Sequence, residues 1–239
     1  MNITVINGTG KHGVTYHLKE IFLEHFREKS NIREFYLPKD CPAFCSGCTD
    51  CILKGEHFCK DADYVYKIAS SLLESDLIVM TSPAYVMHAT GSMKALLDHL
   101  AYLWMPHRPA PEMFKKRAVI ITQCLGAGAK SAAKDIKHSL SWWGISEITV
   151  FTGKLIGNIV WEKLAKKKRI ELTKKMNRLS DRLFHIDYEK PSKVNVITKI
   201  KFLFCRMVQK SLYENDPEYL DGKHWAKMGW LGKERPWRT

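Results

Sequence analysis

At 239 residues, 45% apolar and 26% charged, the chain has the make-up of a globular protein with one α/β domain of ordinary size plus an appendage. No run approaches the ~20 apolar residues that span a bilayer, which excludes a helical membrane protein. The net charge of +13 is lopsided, because residues 163–210 carry 15 Lys/Arg against 4 Asp/Glu and leave only +2 for the rest.

That basic segment reads as the solvated face of helices. With neither RNP-like aromatics nor zinc-finger spacing beside it, no nucleic-acid partner is expected. The first residues, MNITVING, enter a strand directly with no basic leader, so a cytoplasmic, reducing setting is expected. In that setting the seven cysteines read as ligands or free thiols rather than as a disulfide framework.

Residues 3–6 form a β-branched apolar run that predicts a first, buried parallel strand. The glycine-rich turn Gly8-Thr9-Gly10-Lys11-His12-Gly13-Val14-Thr15 follows, and then a helical pattern over about 16–28. Such a turn suits phosphate, because backbone N–H groups and the helix start face an anion while Thr9, Thr15 and Lys11 add donors and charge. It is not a Walker loop. Gly8, Gly10 and Gly13 also spell G-x-G-x-x-G, with Glu34 on the next strand as a possible ribose acid, so a dinucleotide site stands as an alternative.

After a second strand over 31–36 comes the cysteine run CSGCTDCILKGEHFC, in which Cys45, Cys48, Cys51 and Cys59 are spaced C-x2-C-x2-C-x7-C, with Cys41 four residues upstream. Four thiols so spaced can cage an iron–sulfur cluster or zinc, or stand as reactive thiols with no metal. A helix over 64–73, with Asp61 or Asp63 near its start, and an all-apolar central strand over 77–80 come next. The loop Thr81-Ser82-Pro83-Ala84-Tyr85-Val86-Met87-His88 then leads into a helix over 91–103. Met105-Pro106-His107-Arg108-Pro109 follows, and Arg108 there is suited to a nucleotide phosphate or a second subunit. A strand over 118–122, the loop Gln123-Cys124-Leu125-Gly126-Ala127-Gly128, a helix over 130–142, a strand over 147–151 and a basic helix over 161–186 complete the pattern. Strict alternation predicts a doubly wound five-stranded parallel sheet with three ligand-facing loops at one edge. Beyond Pro191 a helical stretch over 194–212 precedes a polar tail with Trp225, Trp230 and Trp237, expected to pack on the domain or a partner subunit.

These residues resemble the NAD(P)H-dependent FMN reductase and iron–sulfur flavoprotein branch of the flavodoxin-like superfamily, over about residues 1–187, with 188–239 as a C-terminal extension. Ser82-Pro83-Ala84-Tyr85 matches the family's S-P-x-Y, and Lys94 and Asp98 its following K-x-x-x-D. The first loop is one residue shorter than G-S-P-R-x-x-G-N-T, with Gly10 for the proline and Val14 for the asparagine. The resemblance favours FMN over a dinucleotide. It implies contacts from Thr9, Lys11, His12, Gly13 and Thr15, from Ser82, Pro83, Ala84, Tyr85, Val86, Met87 and His88, and from Thr122, Gln123, Gly126 and Gly128. It implies a [4Fe–4S] cluster on Cys45, Cys48, Cys51 and Cys59, NADH or NADPH as co-substrate, and a small-molecule or protein electron acceptor. Tyr85, His88 and Trp104 are candidate walls for a flat substrate, no catalytic side chain is obligatory, and a homodimer or homotetramer is expected. Two other readings stand beside this enzyme: an electron carrier or redox sensor with no organic substrate, and a zinc-stabilised binding protein.

Overall fold

The computed structural model describes residues 1–238. Five strands, β1 (Asn2–Asn7), β2 (Asn31–Tyr36), β3 (Leu77–Pro83), β4 (Arg117–Leu125) and β5 (Glu147–Leu155), form one parallel sheet in the order β2-β1-β3-β4-β5. That is the flavodoxin-like order, in which the strand order reverses between β1 and β3 and leaves a crevice at the strands' carboxyl ends. Every residue of β3 is buried, as its unbroken apolar run requires of a central strand.

Helices cover both faces. On one side α1 (Val14–Glu24) and α6 (Lys166–Phe184) bury Leu18, Phe22, Leu172 and Met176 against Val5, Val79 and Val119. On the other, α3 (Ala62–Glu74), α4 (Gly91–His99) and α5 (Ala129–Trp142) bury Ile68, Leu96 and Ile136 against Ile6, Met80 and Ile120. One short helix, α2 (Asp50–Leu53), lies within the cysteine run.

The sequence places the strands correctly but ends three of them early. Pairs such as Ser82↔Thr122, Pro83↔Gln123 and Cys124↔Lys154 extend β3, β4 and β5 by three or four residues. Ladder hydrogen bonds continue whatever the polarity of the side chains, so an apolar run marks the buried part of a strand and not its end. The helix expected over 91–103 stops at His99 and resumes as a 3-10 turn over Ala101–Leu103, and the one expected over 161–186 begins only at Lys166.

The C-terminal segment holds two helices, α7 (Val196–Asn215) and α8 (Leu220–Lys227). Phe202 and Cys205 of α7 meet Trp225, Trp230, Met105 and Phe114 in a separate apolar cluster. Phe202 lies 4.9 Å, centroid to centroid, from the Trp225 ring, and the Trp225 indole donates to the His107 carbonyl at 2.8 Å. In sequence the tail reads as tryptophans among glycines, prolines and charges, and one of those glycines is Gly222 of α8. There, a Cβ would lie 2.9 Å from Tyr213 Cδ2, so the glycine admits the close approach of α8 to α7.

Candidate flavin and cysteine sites

The first loop is locked to its neighbours by backbone bonds. Gly8 N donates to the Thr81 carbonyl at 2.7 Å, and Thr90 Oγ1 donates to the Gly8 carbonyl at 2.6 Å. Thr90 also caps α4 by accepting from Met93 N at 3.2 Å. A Cβ on Gly8 would sit 2.9 Å from the Thr81 carbonyl oxygen, so only glycine lets β1 and β3 close over this point. Beyond it Gly10, Lys11 and His12 are exposed, the His12 ring stacks on Tyr16 at 4.0 Å, and Thr9 Oγ1 accepts from Lys11 N at 3.2 Å.

At the start of α1 the Thr15 hydroxyl is buried with no hydrogen-bond partner, and no acidic residue stands in the first turn. A buried orphan hydroxyl beside free helix-start amides is a ready cradle for a phosphate. Val14 N is already taken by the Ile159 carbonyl at 3.2 Å, which brings the segment after β5 over Gly13, a contact the sequence does not signal. Glu34, the candidate ribose acid, has one oxygen engaged within the protein: its Oε2 accepts from Lys19 Nζ at 2.7 Å and from the Tyr36 hydroxyl at 2.9 Å, with Lys19 fully buried.

The second loop is a two-residue turn closed by Tyr85 N to the His88 carbonyl at 2.9 Å and His88 N to the Tyr85 carbonyl at 3.0 Å. Its central residues, Val86 and Met87, have φ of +48° and +70°. A β-branched residue there is strained, and such strain collects at ligand sites. Tyr85, Val86 and Met87 point outward, while Asp135 Oδ2 holds the turn by accepting from Ala89 N at 3.0 Å and lying 3.1 Å from His88 Nδ1. Ala84 N donates to the Gln123 carbonyl at 2.8 Å, tying this loop to the third.

In the third loop Gly128, at φ +105°, abuts the turn so closely that a Cβ would lie 2.8 Å from Met87 Cα. Gly126 N donates to the Leu155 carbonyl at 3.2 Å. Gln123 Oε1 is buried without a partner at the carboxyl end of β4. A cavity of about 390 Å3 opens beside these loops, bordered by Met87, Gly126, Gly128, Lys130 and Lys154.

Two expected contacts are committed elsewhere. The buried Ser82 hydroxyl donates to the Pro83 carbonyl at 2.9 Å and accepts from Thr90 N at 3.1 Å, while Thr122 Oγ1 donates to the Ala129 carbonyl at 2.8 Å. Both hold loops rather than face the crevice. Trp104 is not a wall of the site either: it lies beyond the far end of α4, stacked on Trp142 at 5.6 Å. Gly13, Ala84, His88 and Gly126 lie on these loops, and Pro83 ends β3 beside them.

Cys45, Cys48, Cys51 and Cys59 are all free thiols, with Cys48 exposed and the others half-buried. Burial first, then the neighbouring Cys59, Cys45 and Cys48, push the Cys51 thiol up against the opposing pull of Arg108. Among the described residues no three of these thiols lie within 4.8 Å of one another; the group that does is Cys59, Asp61 and His99.

His99 is buried, with Nδ1 at 3.7 Å from Cys59 Sγ and Nε2 at 3.2 Å from the Ala43 carbonyl. Its proximity to Cys59, forty positions away in sequence, has no spacing signal. A cavity of about 500 Å3 lies here, lined by His57, Cys59, Tyr66, His99 and Tyr102. Cys41 is buried, and burial together with Asp61 and Cys59 pushes its thiol up to about 11. Thr90 beside the first loop and His99 beside Cys59 mark the two ends of α4, about 13 Å apart at ~1.5 Å per residue.

Arg108 departs from both sequence expectations. It is buried, donates to the Cys51 carbonyl and, at 3.0 Å, to the Ile52 carbonyl, and pairs with the fully buried Asp221 of α8. Asp221 also accepts from the Tyr219 hydroxyl at 2.8 Å and lies 2.9 Å from His107 Nδ1. The C-terminal segment therefore anchors the cysteine loop, through a residue the sequence assigns to a nucleotide or a subunit contact.

Parallel order β2-β1-β3-β4-β5 with three glycine-bearing loops at the crevice defines a flavodoxin-like protein. Residues 1–154 match the NADPH-dependent FMN reductase family, and the chain belongs to that family of NAD(P)H:FMN oxidoreductases. Two proteins of Archaeoglobus fulgidus, each called an iron-sulfur flavoprotein, are similar to it. One is 28% identical over 130 residues, 53% of this chain and 56% of that protein, and the other 33% identical over 99 residues, 41% and 48%. The chain thus spans about half the length of these relatives. The fold is similar to that of an FMN-dependent NADH-azoreductase of Bacillus anthracis solved with FMN, at TM-score 0.59 and 13% identity, covering 77% of this chain and all of that one. Among the described residues no helix is long and apolar enough to cross a membrane.

Proposed function

We propose that the chain binds FMN at the crevice and oxidises NADH or NADPH, delivering electrons to a quinone, a free flavin or another small acceptor. The observation that carries this reading is the pair of buried, unpartnered polar atoms, Thr15 Oγ1 and Gln123 Oε1, on two of the three converging loops. Thr15, the amides of the first turn of α1 and Lys11 would hold the phosphate. Gln123 and the backbone N–H groups near Gly126 and Gly128 would meet the polar edge of the ring, with Tyr85 and Met87 shielding its face. FMN, when bound, supplies the two-electron chemistry; the chain orients it, excludes water and tunes it through these donors.

Cys45, Cys48, Cys51 and Cys59 would hold a [4Fe–4S] cluster, which supplies one-electron transfer when present. What supports this assignment is the donor set, four free thiols on one short loop that Arg108 holds through the Cys51 and Ile52 carbonyls. That same loop favours a second reading, an electron carrier or redox sensor with no organic substrate. Steady-state oxidation of NADH and NADPH separates the two, since the carrier predicts bound FMN and iron with negligible turnover.

FMN binding to apoprotein, followed by flavin fluorescence, tests the site. Thr15→Val removes a hydrogen bond to a charged group worth about 1.5–3 kcal/mol, so Kd should rise roughly 10- to 150-fold. An unchanged Kd in a folded variant would place the phosphate elsewhere.

A further inference from the structure

The helix α7 buries one side and leaves the opposite side apolar. Thr198, Phe202, Cys205 and Gln209 face the protein, at the three- and four-residue spacing of a helix face. Val196, Ile197, Ile200, Leu203, Phe204 and Met207 form a second stripe diametrically opposite, with Ile200 60% and Phe204 58% exposed. Six large side chains in one stripe reach the upper end of the roughly 300–600 Å2 that a soluble monomer leaves apolar in one piece.

What borders the stripe says what covers it. Along one edge of α7 run Lys199, Arg206 and Lys210, and the tail adds Arg235 and Arg238 beside them. Arg206 and Arg235 donate to the same carbonyl, that of Gly232, at 3.1 and 2.9 Å. Their charges crowd: burial and the neighbouring Arg206 and Arg238 pull the Arg235 guanidinium below its ordinary value. Lys199 lies 6.0 Å from the half-buried Trp237 ring, an aromatic of the kind that settles at a lipid headgroup boundary. The acids on this side are few, Glu214 at 3.8 Å from Lys210 and Glu234 next to Arg235. A second copy packed antiparallel across the stripe would set this basic edge against its own image, like charge on like.

We infer that the outward face of α7 is a docking surface for an anionic lipid bilayer, with the apolar stripe entering the headgroup boundary and the Arg206–Arg235–Arg238 edge on the lipid phosphates. The helix lies along the membrane and does not cross it. This stands independently of the redox reading, because none of its residues belongs to the flavin loops or the cysteine loop.

Vesicle co-sedimentation of the full chain tests it, with phosphatidylcholine alone against phosphatidylcholine containing 30% phosphatidylglycerol, at low and at 0.5 M salt. The surface predicts partition onto the anionic vesicles that falls with salt. Arg206→Gln, Arg235→Gln and Arg238→Gln together should weaken it by about fivefold per charge. Ile200→Glu with Phe204→Glu should abolish it without moving the thermal transition, both positions being exposed. Equal binding to neutral vesicles, binding unaffected by the glutamates, or a dimer in sedimentation equilibrium that the glutamates dissolve would each overturn the inference. The last outcome would give the stripe to a second copy.

Discussion

Replacing Asp221 by alanine removes the carboxylate that neutralises Arg108 in a site closed to solvent. Asp221 is fully buried and Arg108 nearly so. What remains around the guanidinium is the carbonyls of Cys51 and Ile52 and the half-exposed Glu56, 3.3 Å away. Breaking one partner out of a buried pair costs about 3–5 kcal/mol, because the other charge is left uncompensated. Against a typical total of about 5–15 kcal/mol this is a large share. Urea unfolding followed by tryptophan fluorescence, with the buried Trp225 beside Phe202 as reporter, should show the midpoint falling by about 1–2.5 M for slopes of about 2–3 kcal/mol per molar. The companion double variant Asp221→Leu with Arg108→Met removes both desolvated charges and should recover most of the loss. Because Arg108 also ties down the cysteine loop, the single variant should expose the loop between Cys45 and Cys59 to limited proteolysis. A single variant within about 0.5 kcal/mol of the parent would refute the reasoning, showing the pair to be relaxed or solvated.

Three further outcomes follow from the same geometry. Burial pulls the Lys116 ammonium down to about 8, although its Nζ donates to the Leu73 carbonyl at 2.7 Å. Between about pH 8 and 10.5 the unfolded chain holds a proton the folded chain has released, so this group makes stability rise with pH, by about 2 kcal/mol at pH 9.5. The rise should appear in the difference between the parent and Lys116→Met in urea unfolding at pH 7.5 and 9.5, where other titrating groups cancel. Gly128→Ala forces φ +105° on an L-residue and drives a Cβ into Met87 Cα, so it should weaken FMN binding at least tenfold in a fluorescence titration while Gly10→Ala, in open space, changes it little. In metal-free protein pulsed with iodoacetamide at pH 8, mass spectrometry should find the exposed Cys48 modified first. Cys41 and Cys205, both buried with thiols pushed up to about 11, should come last.

The sheet was legible because parallel strands buried on both faces must be unbroken apolar runs, and the run over 77–80 names the central strand by itself. The three loops were legible for a related reason: glycine and Ser-Pro punctuation after such a run marks where backbone must turn closely. Hydrophobicity did not show which residues on those loops look inward. Ser82 and Thr122 carry hydroxyls like Thr15, yet only ladder register and neighbouring carbonyls determine that the first two are bonded internally and the third is not. The Arg108–Asp221 pair and the His99–Cys59 contact join positions 113 and 40 residues apart, and no local pattern encodes them. The helix α8 lay in a polar tail of glycines, prolines and charges, where Gly222 serves the close packing on Tyr213.

The central claim, a flavin at the crevice and a cluster on the cysteine loop, meets its most direct test in one sample. Protein purified without oxygen is scanned from 300 to 700 nm, on the order of the range where both chromophores absorb, with flavin and iron quantified on the same material. The account predicts flavin bands over a broad shoulder, with one FMN and about four irons per chain. A colourless protein that takes up no added FMN would contradict it, and flavin without iron would remove the cluster from Cys45, Cys48, Cys51 and Cys59.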